Sequence, residues 1–198
     1  MKKLLILTAI FSLATFVAFA QNYNTSPQIS FGLSPGIAVG SVSNVYPEAG
    51  NISAKFTYPF KGTPVSLTLK TGYTFYASNS GYDIGVGYGG FGYSYGSDSY
   101  GYGSVASFVP VTAGLKVYVA NRFFIEGEAG VSFNVNTYPG DYTGKTTAFI
   151  YSPGAGYSFP LGYSRKQSLD LGLAYENRVE PGGGYEQIAI HAFFNFGL

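Results

Sequence analysis

Apolar and polar residues alternate with a period of two along most of the chain after residue 27. That spacing is typical of β-strands whose two faces meet different environments, and it differs from the 3.6-residue period of an amphipathic helix. Eight segments carry the pattern, each long enough for a tilted strand to cross the hydrocarbon layer of a membrane. The predicted strands are 28–40, 51–60, 64–77, 108–119, 123–136, 148–159, 168–178 and 187–196.

The connections between these segments alternate in length. Residues 61–63 and 120–122 form short turns and 160–167 a moderate one, whereas the other four connections are longer. The longer connections are 41–50, 78–107, 137–147 and 179–186. Short turns at one end and long loops at the other are typical of transmembrane β-barrels. The pattern predicts an all-β, up-and-down antiparallel barrel of eight strands, with both termini at the short-turn end.

The charged residues of the predicted strands indicate which face of each strand is internal. All of them share the parity of the small and polar residues, opposite the Phe, Leu, Ile and Val positions. They are Lys55, Lys70, Lys116, Glu126, Glu128, Asp170, Glu176 and Arg178. A Lys or Arg facing lipid at mid-depth costs about 2–4 kcal/mol, so four of them would cost roughly 10 kcal/mol, comparable with the stability of a whole domain. We therefore expect these residues to form a mutually neutralising charge cluster in the lumen.

Composition narrows the class of protein further. Charged residues make up 11% of the chain, about half the usual share of a soluble domain, and the chain contains 19 Tyr and 17 Phe. Such a surface suits lipid better than water. The absence of Cys excludes disulfides and thiolate metal sites, and we expect no cofactor or metal. The net charge of +1 comes without a basic stripe, so we expect no nucleic-acid partner.

The first twenty residues differ from the rest. Lys2 and Lys3 precede an uncharged apolar run, and Ala18-Phe19-Ala20 has the small-x-small pattern of a signal-peptidase site. Residues 1–20 are therefore predicted to be a cleaved signal peptide, and residues 21–198 the barrel domain. Beyond residue 20 no apolar run approaches the ~20 residues of a transmembrane helix, so a membrane-spanning mature chain needs a closed barrel.

Six residues fit the alternation poorly. Phe124 and Phe193 are large apolar residues on the predicted lumen face. Four prolines lie inside predicted strands, where each removes a ladder donor, and we expect bulges or strand ends there. The prolines are Pro35, Pro59, Pro110 and Pro153.

Three stretches resemble a known family. Residues 110–133, with Pro110-Val-Thr-Ala-Gly-Leu-Lys-Val-Tyr118 and Phe124-Ile-Glu-Gly-Glu-Ala-Gly-Val-Ser-Phe133, look like the central hairpin of small outer-membrane β-barrel proteins of the Bacteroidetes type, distant relatives of the OmpX and OmpA barrels. Ser152-Pro-Gly-Ala-Gly-Tyr-Ser-Phe159 and the final Phe194-Asn-Phe-Gly-Leu198 resemble it too.

The resemblance implies location in the outer membrane of a Gram-negative cell, with membrane lipid and lipopolysaccharide around the barrel. The aromatic last strand resembles the signal read by the barrel-assembly machinery, although Leu198 stands where many such proteins end in Phe. The family supplies no catalytic residues, and we expect no enzymatic activity.

The connection 78–107 is the most unusual segment, because Tyr and Gly alternate through much of it. Tyr offers rigid contact area, and Gly and Ser allow adaptation, as in antibody paratopes. The segment is therefore a candidate adhesive or ligand-binding loop, the ligand being unknown. The other interpretation is that its rings rest at the membrane interface. Its aromatic residues are Tyr82, Tyr88, Phe91, Tyr93, Tyr95, Tyr100 and Tyr102.

The expected function is therefore envelope structure or surface contact through the long loops, with three alternatives. A porin-like narrow channel would use the lumen charges, but eight strands leave an interior that side chains fill. A lipid-modifying enzyme would need the single His, His191, which falls on the lumen parity. A soluble lipocalin-like barrel would have an apolar lumen and a charged exterior, the reverse of the assignment above.

Overall fold

A computed structural model of the chain describes residues 26–78, 105–136, 146–162, 166–180 and 184–198. The predicted signal peptide, residues 1–20, lies outside these ranges. Eight antiparallel strands follow one another in chain order around a closed barrel, and the last strand pairs with the first. The strands are β1 Gln28–Val39, β2 Glu48–Pro59, β3 Val65–Ala77, β4 Ala106–Ala120, β5 Phe123–Asn134, β6 Thr147–Leu161, β7 Gln167–Arg178 and β8 Tyr185–Gly197.

The predicted fold class is confirmed: an all-antiparallel, eight-stranded, up-and-down barrel. Three strands begin two or three residues earlier than the alternation indicated, at Glu48, Ala106 and Tyr185. In each case backbone pairing with a neighbouring strand extends the ladder beyond the last clear apolar position, as in the pairs of Glu48 with Ala77 and of Tyr185 with Arg178. A 3-10 helix over Gly40–Asn44 follows β1 and begins the connection to β2.

The expectation of bulges at the prolines is wrong for three of the four. Pro59 ends β2, as expected. At each of Pro35, Pro110 and Pro153, two consecutive residue pairs are missing from the ladder with one of the two neighbouring strands. The register is the same before and after each gap. The missing donor therefore interrupts the pairing without shifting parity. In the described ladders the register shift lies between Tyr118 and Ala120, next to the β4–β5 turn.

The short turns hold residues suited to left-handed backbone. Gly62, between β2 and β3, has φ of 74°, and Asn121, between β4 and β5, has φ of 48°. Gly and Asn tolerate this region best, so tight reversals fall at these points. Because strands alternate in direction, these turns share one end of the barrel, here called the short-turn end; the opposite one is the long-loop end.

The two faces of the wall differ completely. Outward positions carry large apolar side chains that are well exposed, such as Phe31 (59%), Leu173 (61%) and Ile190 (58%). Inward positions are buried and mostly polar. Within the described ranges, no helix is long and apolar enough to span a membrane. An apolar exterior around a polar lumen excludes the soluble lipocalin-like alternative, because it would expose a continuous hydrophobic belt to water.

Candidate functional site

The middle of the lumen is filled by charged side chains. Seven of the eight residues of the predicted charge cluster are buried, including Lys70 and Lys116 with 4% and 2% of their surface exposed; Glu126 is partly buried. Each comes from an inward position of β2, β3, β4, β5 or β7. Buried charges are tolerated only when paired, so their partners determine what the lumen can do.

One ion pair runs from β2 to β5. Lys55 Nζ donates to both carboxylate oxygens of Glu126, at 2.7 and 2.9 Å. The same ammonium lies 4.2 Å from the centre of the Phe193 ring on β8. The inward Phe193 thus supplies a π face to a buried cation, which explains why an apolar ring occupies a lumen position.

Two further pairs join other strands. Lys70 on β3 pairs with Glu128 on β5, and Lys116 on β4 pairs with Asp170 on β7. Lys116 Nζ lies 4.0 Å from the ring centre of Phe124, the second apolar residue on the lumen face. Three pairs therefore link non-adjacent strands, β2 to β5, β3 to β5 and β4 to β7, and they fill the space between these strands with charge-assisted hydrogen bonds.

The last two members of the cluster have partners outside it. Arg178 pairs with Glu180, just beyond the end of β7, and its guanidinium lies 4.4 Å from the centre of the Phe108 ring. Glu176 accepts a hydrogen bond from the Gln187 amide at 2.9 Å. The eight charges therefore do not form four ion pairs among themselves. Glu180 neutralises Arg178, and the neutral amide of Gln187 is the hydrogen-bond partner of Glu176.

Neutral hydrogen bonds continue the network toward the short-turn end. Ser30 Oγ donates to Asn195 Oδ1 at 2.6 Å, and Asn195 Nδ2 donates to Ser168 Oγ at 2.9 Å. This chain crosses β1, β8 and β7 inside the barrel. All three side chains are buried, and their mutual bonds offset the cost of removing them from water.

Aromatic clusters lie in the lumen near its two ends. At the long-loop end the Tyr185 ring lies 4.7 Å from Phe108 and 5.2 Å from Tyr76, centre to centre. Tyr46, after the 3-10 helix, joins them at 6.2 Å from Tyr185. At the short-turn end Tyr118 and Phe124 stack edge to face at 6.1 Å. The sequence pattern did not predict the long-loop cluster, although Tyr76 and Phe108 share the parity of Lys70 and Lys116.

The space left inside the lumen is small. A cavity of about 20 Å³ lies beside Lys55, Glu126, Glu128, His191 and Phe193. That volume holds about one water molecule. In the described part of the barrel, side chains therefore fill the interior, which is the packing expected for eight strands.

His191 faces this cavity from β8 and lies 5.8 Å from the Phe193 ring, centre to centre. Among the described residues it makes no hydrogen bond to a serine or to a carboxylate, so a hydrolytic triad is not assembled around it. The described ranges also contain no group of three or more His, Cys, Asp and Glu residues able to hold a metal ion. The candidate loop residues lie outside the described ranges: Tyr82, Tyr88, Phe91, Tyr93, Tyr95, Tyr100 and Tyr102.

Comparison with known proteins shows similarity in structure but not in sequence. No protein-family model matches the chain, and no curated protein matches its sequence. The crystal structure of neisserial surface protein A superposes with a TM-score of 0.54 and 11% identity, over 87% of this chain and 97% of that one. The crystal structure of Ail, the attachment invasion locus protein of Yersinia pestis, gives 0.51 and 13%, over 88% and 100%.

At these identities the similarity shows the fold, that of small outer-membrane β-barrels. The similarity does not establish that the chain is of the Bacteroidetes type, which the sequence resemblance implied. Independently, the apolar exterior of the closed barrel requires a lipid environment. Fold and exterior together identify the chain as an integral β-barrel protein of the outer membrane.

Proposed function

We propose that this protein is a non-enzymatic outer-membrane barrel that acts through surface contact by its long loops rather than by passing solutes. The observation that carries the proposal is the filled lumen, where ion pairs occupy the middle and aromatic clusters lie near both ends. A barrel filled in this way serves as a rigid platform. Its variable chemistry then resides in the connections at the long-loop end.

The connection between β3 and β4 is the main candidate for this contact. Its sequence from Gly85 to Gly103 interleaves Tyr with Gly and Ser, which supplies aromatic contact area on an adaptable backbone. One of the structural neighbours carries the words attachment and invasion in its name, which is consistent with an adhesive role for such a barrel. The outer loops carry Glu and Asp, so we expect a neutral or cationic ligand rather than an anionic one.

Two general partners complete the proposal. Membrane lipid and lipopolysaccharide surround the apolar belt, and the barrel-assembly machinery inserts the chain by means of its aromatic last strand, which ends in Phe194-Asn-Phe-Gly-Leu198. Residues 1–20 act as the export signal, and the mature chain begins at Gln21.

Adhesion of cells that display the protein tests the role of the loop. The test variant keeps the loop length and removes four rings by changing to Ser the residues Tyr93, Tyr95, Tyr100 and Tyr102. We expect adhesion to fall at least about tenfold if two or more of these rings act as contact anchors of ~1 kcal/mol each. The matched control substitutes Tyr138 and Tyr142, in the β5–β6 connection, with Ser. Heat-modifiable gel mobility verifies folding in each variant. Unchanged adhesion in the four-Tyr variant, with a normal mobility shift, would rule out this loop as the contact surface.

Conductance across a planar bilayer tests whether the filled lumen is impermeable to ions. We expect no stepwise current from the purified wild-type protein, because the cavity holds about one water. Regular current steps that change when Lys116→Met and Glu128→Gln are introduced together would instead establish the channel alternative.

A further inference from the structure

A hydrogen-bonded group of polar side chains lies on the outer wall near the long-loop end of β6, β7 and β8. Tyr175 Oη donates to Glu186 Oε2 at 2.8 Å. Asn177 Nδ2 donates to Tyr175 Oη at 3.1 Å and to Tyr151 Oη at 3.3 Å. The backbone register pairs Tyr151 with Asn177 and Asn177 with Glu186, so these side chains lie in a row across three strands. They share the outward parity of Leu173 and Ile188.

The carboxylate of Glu186 is unusual in this position. Of the charged residues in the eight described strands, only Glu48 and Glu186 occupy outward positions, both near the long-loop end. Glu186 forms no ion pair with a Lys or Arg of the described residues. A carboxylate at the membrane boundary attracts cations, so this part of the wall favours a positively charged group.

Aromatic rings lie beside the same position, on β6 and β7. The Tyr151 and Tyr175 rings lie 6.1 Å apart, centre to centre, at an angle of 53°, and Phe149 adds a third ring 6.2 Å from Tyr151. An ammonium group is attracted to ring faces and donates hydrogen bonds to a carboxylate. The combination of one carboxylate with flanking rings is therefore suited to a primary ammonium.

An apolar groove of about 650 Å³ lies farther down the same wall. It is lined by small side chains such as Ala54 and Ala192 and by the rings of Phe31 and Phe194. Ala192 is six residues beyond Glu186 on β8, roughly 20 Å along a strand. At the usual tilt of about 40° this is roughly 15 Å of depth, the thickness of one hydrocarbon leaflet. A lipid with its headgroup at Glu186 can therefore place the end of an acyl chain in the groove.

We propose that Glu186, with Tyr151 and Tyr175, forms a binding site on the outer wall for the primary ammonium of a lipid headgroup, whose acyl chain extends toward the groove at Ala192. The ammonium donates to the carboxylate oxygen that Tyr175 leaves available and packs against the rings. The ligand is a membrane lipid rather than a free amine, because the site opens on the lipid-facing wall and an apolar groove lies within the reach of an acyl chain.

Native mass spectrometry of the full-length protein released from bilayers of phosphatidylethanolamine, phosphatidylcholine and phosphatidylglycerol in equal amounts tests the site. We expect the wild-type protein to retain phosphatidylethanolamine about threefold over each of the other two lipids. Glu186→Gln should remove the preference, and Tyr175→Phe should weaken it. Glu48→Gln, at the other outward glutamate, should preserve it.

Two further measurements separate the parts of the proposal. Ala54→Phe fills the groove and should reduce retention of all three lipids while keeping their ratio. Excess free ethanolamine should leave the bound lipid in place. Equal retention of phosphatidylethanolamine and phosphatidylcholine, a Glu186→Gln variant that keeps the wild-type ratio, or release of lipid by ethanolamine would each overturn the site. None of these results depends on adhesion by the loops.

Discussion

The inner and outer faces of this barrel wall are built from the same strands but are stabilised in opposite ways. On the outer face, side chains such as Leu173 and Ile190 need no specific partner, because any lipid chain can contact them. On the inner face, most charges depend on a particular residue on another strand, as Lys55 does on Glu126. The outer face is therefore stabilised by nonspecific contact with lipid, whereas the inner face is stabilised by individual ion pairs.

This difference between the two faces indicates at which positions the sequence can vary. An outward Leu can become Ile or Phe without loss, since the requirement is apolarity alone. An inward residue can change only together with its partner, because a buried charge without a counterpart is costly. Four substitutions test this contrast, each with a control that differs mainly in its position on the wall.

Removal of one partner of an internal ion pair should have the largest effect. Lys116→Met leaves Asp170 buried without its cation, and we expect a loss of about 3–5 kcal/mol in the free energy of unfolding. Replacing both residues, with Lys116→Met and Asp170→Leu, should restore most of the loss. Urea unfolding in lipid vesicles, followed by gel mobility, measures the effect. Lys61→Met, on the exposed β2–β3 turn, is the control; an equal loss there would contradict the contrast.

A charge placed on the outer face should be the next most harmful change. Leu173→Arg, near the middle of β7, should lower the unfolding free energy by about 2–4 kcal/mol. Gln167→Arg, at the short-turn end of the same strand, should cost about 0–1 kcal/mol because its head reaches water. The same unfolding assay compares them. Equal costs would mean that the outer face at Leu173 is not covered by hydrocarbon.

Two glycines of β5 sharpen the contrast in packing. A Cβ at the inward Gly130 would overlap the carbonyl oxygen of Val111 on β4, whereas a Cβ at the outward Gly127 meets nothing within 4 Å. We expect Gly130→Ala to cost about 1–3 kcal/mol, as overpacking does. Gly127→Ala should be neutral or slightly stabilising. If both variants unfold at the same urea concentration as the wild type, the inner face has space for a Cβ at Gly130 and the expected overlap with Val111 is wrong.

The smallest effect concerns a hydrogen bond on the outer wall. Tyr73 Oη donates to Ser107 Oγ at 2.7 Å. Tyr73→Phe should lower the unfolding free energy by about 0.5–1.5 kcal/mol. Ser30→Ala, inside the lumen, should cost more, because it leaves Asn195 Oδ1 without its donor in a buried place. A larger loss for Tyr73→Phe than for Ser30→Ala would reverse the expected order.

Period-two alternation was sufficient to predict the barrel, because every second residue of a strand faces the lumen and the residues between them face lipid. The parity of Lys116 or of Asp170 can be read locally, and the structure has both facing inward. Parity does not reveal which charges meet, since pairing across a barrel depends on strand tilt and stagger. That is why the partnership of Lys116 with Asp170 could not be predicted from the sequence.

The prolines illustrate a second limit. A missing N–H predicts a disturbance in the ladder, but the sequence does not show how the neighbouring strands accommodate it. At Pro110 the gap is confined to the side facing β3, where Thr71 Oγ1 donates to the Pro110 carbonyl at 3.0 Å. The wall thus keeps its parity through a side-chain bond from the next strand, a compensation that depends on the tertiary register.

The pairing of β1 with β8 has a kinetic consequence. The Ser30–Asn195 bond joins residues 165 positions apart in the chain, so the seam between the first and last strands forms only after the whole polypeptide has been delivered to its membrane. Contacts of such high sequence separation make folding slow. Until the seam closes, β1 and β8 are unpaired edges open to aggregation. Substitutions along the seam should therefore lengthen the time spent in assembly more than those elsewhere.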